Sequence, residues 1–354
     1  MNPVRETPES GRSPSLAAPL RRLACALSPE EKRLFLDHAA PALYPPGVTT
    51  TWLENSGHGM TLEQWTDLNP EILLTGWSTA PLPAAWLEDR ACALRYVCHL
   101  TGSVRRLLPR SFIEQGGVVT NWGDIPSATV AEHALLLALA GLRNLGAWPG
   151  GGAPHPLDTA RRIEGLGTRS LCGRKVGIHG FGRIACALVP LLRPFGVSIT
   201  GFSTGVPSAV LQSAGVLPAG SLEDLFARAD VLFECEALTP VTAGSVSAGV
   251  LAKLPDGAVF VNVARGGLVD EAALLREAGS GRVRVALDVV ASEPLAPHGP
   301  FARVPGAVLS PHVGGPTFDQ YPQCGEFALR NITRFVRGEL PAAVVTLAGY
   351  DRAT

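Results

Sequence analysis

Residues 176–185 read VGIHGFGRIA, an apolar strand that runs into a glycine turn and then into a helix. In such a turn Gly180 permits the tight bend, Gly182 permits close approach of a pyrophosphate, and Ala185 lets the helix pack on the strand. Backbone amides at the start of the helix would point at the phosphates. The stretch predicts a dinucleotide site, with a glycine turn that serves packing alone as the alternative. Its position halfway along the chain predicts an inserted domain.

The composition is typical of a globular protein with two domains. The chain has 354 residues, of which 46% are hydrophobic, enough for two cores. Its 30 basic and 31 acidic residues nearly cancel, and no basic patch is interleaved with aromatic residues. We therefore expect a small-molecule substrate and no nucleic acid. The longest apolar run, residues 134–142, falls short of the roughly 20 residues that span a bilayer, so no membrane insertion is expected.

The cysteines and the N-terminal residues indicate the cellular compartment. Seven cysteines show neither C-x-x-C pairs nor metal-ligand spacing with histidine, so we expect reduced thiols, no metal site and a cytoplasmic protein. Residues 1–27 mix prolines with scattered charge and lack the apolar core of a signal peptide. They are predicted to form a disordered leader.

Strands and helices alternate in the order that is typical of parallel α/β sheets. Capping boxes are predicted at 28–31 and 61–64. Short strands are predicted at residues 72–76, 94–99, 117–120, 197–202, 231–234, 258–263, 283–289 and 307–310. We predict two doubly wound parallel sheets. A Rossmann cofactor domain at residues 129–318 is inserted into a flavodoxin-like substrate domain formed by 28–128 and 319–354.

Further motifs accompany the glycine turn in a fixed order. They are VAEH at 130–133, LTPVT at 238–242, VNVARGGLVD at 261–270, ALDV at 286–289, SEP at 292–294 and SPHVGG at 310–315. Their joint occurrence over residues 72–337 resembles the D-isomer-specific 2-hydroxyacid dehydrogenase family. The resemblance implies an oxidoreductase that reduces a 2-oxo acid to a D-2-hydroxy acid, or the reverse, by hydride transfer with NAD(P).

The resemblance implies three catalytic residues. Arg265 would bind the substrate carboxylate and carbonyl oxygen, a task that suits a guanidinium that stays charged. His312 would be the general acid in reduction and the general base in oxidation. Glu293 would hydrogen-bond the other ring nitrogen of His312, orient the ring and stabilise the imidazolium. The alternatives are a surface arginine, a structural histidine and a Ser-Glu-Pro capping turn.

The resemblance also implies a set of cofactor contacts. The predicted cofactor-binding residues are Gly180, Phe181, Gly182, Arg183, Ile184, Ser203, Thr239, Ala264, Asp288 and Gly314. Asp288 would contact the nicotinamide amide or, alternatively, cap the end of its strand.

The substrate loop follows the strand at 94–99. Besides Arg265, the substrate contacts are predicted to be Trp77, Gly102 and Ser103. The amides of the glycine loop can bind a carboxylate, and an indole would favour a bulky or apolar substrate side chain. Two arginines at 105–106 could instead bind a second anionic group, with a solvated helix start as the alternative.

Ser203 stands where a Rossmann domain commonly carries the acidic residue that binds the ribose hydroxyls of NAD. Serine would not repel a 2′-phosphate, yet residues 204–207 supply no arginine to bind one. We expect NAD with relaxed discrimination, and NADP is not excluded.

Two other functions stay open. One is a cofactor-sensing, corepressor-like binding protein, and the other, within enzymes, is a phosphoglycerate dehydrogenase. The family resemblance further implies a homodimer through the cofactor domains, with the apolar helix at 130–145 as a contact.

Overall fold

The computed structural model describes residues 22–39, 45, 47–148, 164–294, 296 and 298–352. The chain divides into two compact units. The first comprises Met1–Gly123 and Pro322–Tyr350, and the second comprises Asp124–Tyr321 and Asp351–Thr354. Along the chain the second unit interrupts the first, as the position of the glycine turn predicts.

Both units are built from strands and helices in alternation. In the described residues the strands are β1 Arg22–Ala26, β2 Thr49–Trp52, β3 Ile72–Thr75, β4 Tyr96–His99, β5 Val118–Thr120, β6 Lys175–His179, β7 Ser198–Phe202, β8 Leu217–Pro218, β9 Val231–Glu234, β10 Val259–Asn262, β11 Arg284–Leu287 and β12 Val308–Leu309. The α-helices of the same residues are α1 Pro29–Phe35, α2 Leu62–Leu68, α3 Ala84–Leu87, α4 Arg110–Glu114, α5 Ser127–Leu142, α6 Arg183–Leu192, α7 Ser208–Ser213, α8 Leu222–Arg228, α9 Ala248–Leu251, α10 Glu271–Gly279, α11 Tyr321–Val336 and α12 Leu347–Arg352.

The first unit contains a five-stranded sheet in the order β2-β1-β3-β4-β5. Every neighbouring pair is parallel. This is the doubly wound order of flavodoxin-like domains. The predicted fold class is therefore confirmed for this unit.

Strand β1 corrects the predicted end of the leader. Residues 22–26 were assigned to a disordered segment, but they form a strand between β2 and β3, and four of the five are buried. A strand covered on both faces reads as a short apolar run without alternation, and such a run is hard to distinguish from a leader. Residues 1–21 lie outside the described part of the chain.

Both predicted capping boxes are confirmed. Ser28 Oγ accepts from the Glu31 amide at 3.2 Å, and the Glu31 carboxylate accepts from the Ser28 amide at 3.0 Å. Thr61 and Gln64 make the same reciprocal pair at the start of α2. Each box satisfies amides that the first helical turn leaves without partners.

The second unit contains a seven-stranded sheet in the order β12-β11-β10-β9-β6-β7-β8. All neighbouring pairs are parallel, and the strand order reverses between β6 and β9. In open α/β sheets the ligand crevice lies at the carboxyl ends of the strands at such a reversal. The topology thus places the glycine turn, which follows β6, at the expected binding edge.

Apolar side chains cover both faces of the second sheet. Val231, Phe233 and Val261 pack with α5 and α6, whereas Leu232 and Phe260 pack with α8, α9 and α10. Alternate residues of a strand point to opposite faces, so each strand contributes to both cores.

Among the described residues, no helix is long and apolar enough to cross a membrane. In that same part of the chain, His, Cys, Asp and Glu side chains do not gather in groups of three or more that could hold a metal ion. The seven cysteines are free thiols.

Candidate active site

The glycine turn between β6 and α6 depends on a close backbone approach. Gly180 has a φ of +87°, and a Cβ there would collide with the backbone of Glu236. Its amide donates to the Phe202 carbonyl at 2.8 Å. Only glycine combines this φ with this contact at low cost. The loops after β6 and β9 therefore lie directly against each other.

Helix α6 begins immediately after Gly182. Space is open around the position that a Cβ of Gly182 would occupy, and no described side chain caps the first turn. Uncapped amides of a ten-residue helix can bind an anion. This cradle fits the pyrophosphate of a dinucleotide. Of the other turn residues, Phe181 is buried, Ile184 is half-buried, and exposed Arg183 pairs with Asp124 at 2.6 Å.

Arg265 lies just beyond β10, at the start of a short 3-10 turn. The buried Asn262 braces this segment, because its Oδ1 accepts from the Ala264 amide at 3.0 Å and its Nδ2 donates to the Arg265 carbonyl at 3.2 Å. A Cβ at Gly266 would collide with the backbone of Val290. Asn262 on one side and the Val290 backbone on the other thus fix the turn that carries Arg265.

The Arg265 guanidinium is half-buried, and its Nη1 donates to the Ala264 carbonyl at 2.7 Å. Burial lowers its pKa from the ordinary value, while the Glu293 and Asp288 carboxylates act in the opposite direction. Because arginine normally titrates above pH 12, the group keeps its charge near neutrality. Arg265 therefore places a permanent positive charge beside two carboxylates.

His312 and Glu293 are brought together as the sequence predicts. The distance between His312 Nδ1 and Glu293 Oε2 is 2.7 Å. The two side chains are 46% and 35% exposed, so the pair is accessible from solvent. An ionised carboxylate only accepts hydrogen bonds, so it favours the tautomer with the proton on Nδ1. The Nε2 atom of the ring is then the one available to a substrate.

Asp288 holds the loop that carries His312. Its carboxylate accepts from the Val313 and Gly314 amides, each at 2.9 Å, and from Ser310 Oγ at 2.6 Å. His133 Nε2 lies 3.3 Å from Asp288 Oδ1. Burial raises the pKa of Asp288, but the hydrogen bonds from His133, Ser310 and the two amides outweigh it and lower the pKa to about 2.

These contacts favour the alternative in which Asp288 caps the end of its strand. The backbone also takes part, because the His312 amide donates to the Asp288 carbonyl at 2.9 Å. His312 itself has a φ of +55°, which non-glycine residues seldom adopt. The surrounding bonds hold it there, and contact of Asp288 with a nicotinamide amide stays a prediction.

Three other predicted cofactor contacts have protein partners. The Thr239 and Thr242 hydroxyls lie 2.9 Å apart, and the Thr239 amide donates to Thr242 Oγ1 at 2.7 Å. Ala264 is buried. Ser203 Oγ donates to Glu236 Oε2 at 2.7 Å, a contact that the sequence does not predict.

Two of the predicted substrate residues of the first unit, Trp77 and Gly102, pack against Trp122. Trp77 is 54% exposed, and its ring meets Trp122 edge-on with centroids 6.0 Å apart. A Cβ at Gly102 would lie 3.2 Å from Trp122, so the glycine loop packs on that indole. Ser103 Oγ accepts from the Arg105 amide at 3.5 Å. The position of these residues relative to Arg265 stays a prediction.

A buried histidine supports the same loop. His99 Nδ1 lies 2.9 Å from Thr75 Oγ1, and its Nε2 lies 2.6 Å from Thr101 Oγ1. Burial lowers the pKa of His99 to about 4, so the ring is neutral at pH 7.

Four residues that shape the site are not among those predicted from the sequence. Asn262, His133 and Ser310 lie inside motifs that were quoted, so their motif position was the available signal. Glu236 had no such signal, because it reaches Ser203 from the loop after β9, 33 residues further along the chain.

Comparisons with known proteins then give the family. Residues 155–314 match the family model described as "D-isomer specific 2-hydroxyacid dehydrogenase, NAD binding domain". A glyoxylate reductase of Pyrococcus furiosus is 30% identical over 268 residues, which are 73% of this chain and 77% of the reductase. The chain belongs to the D-isomer-specific 2-hydroxyacid dehydrogenase family. The second unit contains the NAD binding domain of that family.

Other relatives in this 2-hydroxyacid dehydrogenase family differ in length. A D-3-phosphoglycerate dehydrogenase of Methanocaldococcus jannaschii is 32% identical over 66% of this chain, which spans only 44% of that enzyme. The solved structure of Rhodotorula graminis D-mandelate dehydrogenase has a TM-score of 0.77 and covers 92% of this chain and 98% of its own, at 18% identity. At that identity it shows the fold alone. The predicted family and fold class are confirmed.

Proposed function

We propose that the protein interconverts a 2-oxo acid and a D-2-hydroxy acid with a nicotinamide coenzyme. The observation that carries the proposal is the pair of His312 and Glu293 beside the charge of Arg265. These residues follow the neighbouring strands β10, β11 and β12, at the edge where α/β sheets bind ligands. An acid–base group and an anion-binding group at one edge suit a 2-oxo acid.

The chain has a fitting place for the coenzyme. The open amides of α6 and the glycine turn would hold the pyrophosphate. When bound, the reduced nicotinamide supplies the hydride that is added to C2 of the substrate. The other predicted contacts with the coenzyme are part of this proposal and are Phe181, Arg183, Ile184, Thr239, Ala264, Asp288 and Gly314.

The protein residues then perform the rest of the reaction. Arg265 binds the substrate carboxylate and polarises the carbonyl oxygen. His312 donates the proton on Nε2 to that oxygen as the hydride arrives at C2, and Glu293 keeps the proton on Nδ1. The ring ends neutral. In the reverse direction, neutral His312 accepts the hydroxyl proton at Nε2.

Residues of the first unit would contact the side chain of the substrate. We propose that Trp77 and Trp122 contact an apolar or aromatic group, because an exposed indole packed edge-on against another forms an apolar surface. Amides of the loop at Gly102 and Ser103 would contribute to carboxylate binding. A phosphate-bearing substrate would instead require the exposed arginines at 105–106.

Oxidation of NADH is the direct test, with glyoxylate, hydroxypyruvate, phenylpyruvate and phosphohydroxypyruvate as substrates. We expect turnover, fastest with phenylpyruvate. His312→Ala should lower kcat by about 10²- to 10⁴-fold while the Kd for NADH changes by less than about threefold. His38→Ala changes an exposed histidine of the first unit and should match the wild type.

Other outcomes would be equally informative. Binding of NADH without turnover of any 2-oxo acid would replace the enzyme with a cofactor sensor. Preference for phosphohydroxypyruvate would favour a phosphoglycerate dehydrogenase. Full activity of His312→Ala would contradict the proposed acid.

We also propose a homodimer. Helix α5 and the turn after it expose Leu136, Leu145 and Trp148, which are 57%, 42% and 54% accessible. Exposed apolar side chains grouped along one segment are typical of protein interfaces. Light scattering should give twice the chain mass of 37.1 kDa, and a monomer at micromolar concentration would contradict the proposal.

A further inference from the structure

A carboxylate stands at the end of β7, although β7 itself does not supply one. Glu236 lies two residues beyond β9, and its Oε2 accepts from Ser203 Oγ at 2.7 Å and from the Thr204 amide at 3.3 Å. In the sheet, β6 separates β7 from β9. The side chain thus reaches across one strand to the position where a Rossmann domain commonly carries its acidic residue.

Glu236 is held from several directions. Its Oε1 accepts from the Ala237 amide at 2.9 Å, and its own amide donates to Glu234 Oε1 at 2.9 Å. The backbone of Glu236 also packs against Gly180, where no Cβ would fit. The carboxylate is therefore fixed relative to the glycine turn that would hold the pyrophosphate.

The buried side chains of Glu234 and His179 support this arrangement, because Glu234 also accepts a hydrogen bond from the Glu236 amide. Glu234 Oε2 lies 2.6 Å from His179 Nδ1, and the two side chains are essentially inaccessible to solvent. Burial lowers the pKa of His179, but Glu234 and Glu236 raise it more, so the net shift is upward. His179 and Glu234 compensate each other when both are charged. The negative charge at Ser203 is then that of Glu236.

The remaining features suit a hydroxyl rather than a phosphate. An ionised carboxylate has about four acceptor positions, and Ser203, Thr204 and Ala237 occupy three of them. Glu236 is half-buried, so its carboxylate is not closed off from solvent. The loop at 203–207, STGVP, contains neither lysine nor arginine.

We propose that Glu236 takes over the task of the acidic residue that Ser203 replaces, so that it accepts a hydrogen bond from the ribose 2′-hydroxyl of NAD(H) and repels the 2′-phosphate of NADP(H). The inference rests on the proposed function only in requiring that a nicotinamide coenzyme binds. With this role for Glu236, we expect selectivity for NAD(H) over NADP(H) in place of the relaxed discrimination that the sequence predicts. The carboxylate is present, but it comes from the loop after β9 and not from the end of β7.

Coenzyme binding to the full chain tests the inference without any substrate. Titration calorimetry should give a Kd for NADPH at least about tenfold above that for NADH in the wild type, because two like charges would be brought together. Glu236→Gln keeps the shape and removes the charge, so the ratio of the two Kd values should fall by about tenfold. Glu223→Gln makes the same change at an exposed carboxylate of the second unit and should leave the ratio unaltered.

Two further measurements complete the design. Adding Ser203→Asp to Glu236→Gln returns a carboxylate to the end of β7 and should restore the preference for NADH. In the wild type alone, raising ionic strength from about 0.01 M to 0.5 M should lower the ratio of the NADPH Kd to the NADH Kd, because salt screens repulsion. This second measurement is independent of whether a variant folds.

The inference is overturned by several clear results. These are equal affinity or an NADPH preference in the wild type, equal loss of both affinities in Glu236→Gln, or selective weakening of NADPH binding by salt. In each case a coenzyme still binds, and the proposed function survives. If neither coenzyme binds the wild type, the proposed function fails together with the inference.

Discussion

Two carboxylates near His312 have different tasks because their surroundings differ. The Asp288 side chain is 3% exposed and accepts hydrogen bonds from two loop amides and a hydroxyl, so its oxygens hold the loop. The Glu293 side chain is 35% exposed and contacts the imidazole ring. Glu293 is therefore the carboxylate that suits proton transfer, because it touches His312, the group that would move the proton.

Glu293→Gln should therefore impair the chemical step. An amide can hold the ring by a hydrogen bond but brings no negative charge to stabilise the imidazolium, so kcat should fall by about 10²-fold. The KM for the 2-oxo acid and the Kd for NADH should change by less than about threefold. Steady-state kinetics and calorimetry measure these quantities. Glu293→Asp keeps the charge and should recover part of the rate, whereas a glutamine variant as fast as the wild type would contradict the assigned role.

At the level of elements, the candidate active site is assembled from loops that pack on each other. The 3-10 turn Gly266–Leu268 meets the segment at Val290 and Ala291 so closely that a Cβ at Gly266 has no room. The same segment leads to Glu293, and the Ala291 amide donates to Glu271 of α10 at 2.8 Å. A displacement there would alter the placement of Arg265 and Glu293 together.

Gly266→Ala should separate catalysis from coenzyme binding. The added methyl group forces a backbone shift, which costs about 1–3 kcal/mol of stability, and a misplacement of about 1 Å can lower kcat/KM by roughly 10²-fold. The Kd for NADH should stay within about threefold of the wild type, because the glycine turn is on another loop. Thermal unfolding and kinetics provide the two readouts. Gly279→Ala, at a helical glycine with open space around it, is the control and should retain full activity.

At the level of the whole molecule, the two units contain buried histidines with opposite pKa shifts. Burial lowers the pKa of His99 in the first unit to about 4, whereas neighbouring glutamates raise that of His179 in the second. Between pH 6.5 and 4 the unfolded chain binds a proton at His99 that the folded chain does not. The free energy of unfolding contributed by His99 is therefore fully present above pH 6.5 and decreases as the pH falls.

His99→Gln should reduce the acid sensitivity of the first unit. One pH unit within that window corresponds to about 1.4 kcal/mol, so the wild type should lose about 2 kcal/mol more than the variant between pH 7 and 5. Urea unfolding followed by tryptophan fluorescence reports this unit, since five of the six tryptophans lie within residues 1–123. If the free energies of unfolding of the wild type and of His99→Gln fell in parallel as the pH is lowered, His99 would not be the source of the acid sensitivity.

Much of the fold could be predicted because its signals are local. Capping boxes join residues three apart, and a strand covered on both faces is a short apolar run, so α1, α2 and most strands were found from their own residues. Arg265, Glu293 and His312 lie in loops just beyond strands, and they were singled out through the family motifs that contain them. Strands β1, β2 and β8 were missed, because a short run beside charged residues, an edge strand of four exposed residues and a strand of two residues carry little local signal.

By itself, the sequence determined that this protein has two parallel α/β sheets and a mid-chain glycine turn, and its motifs indicated the residues of the proposed acid–base pair. Only the tertiary structure decided which side chains share a surface. His133 reaches Ser310 across 177 residues, and Glu236 reaches Ser203 across 33. The first pair depends on the packing of α5 beside β12, and the second on strand order, since parallel strands bring together loops that are far apart in the chain. That is why the missing carboxylate of β7 is found on the loop that follows β9.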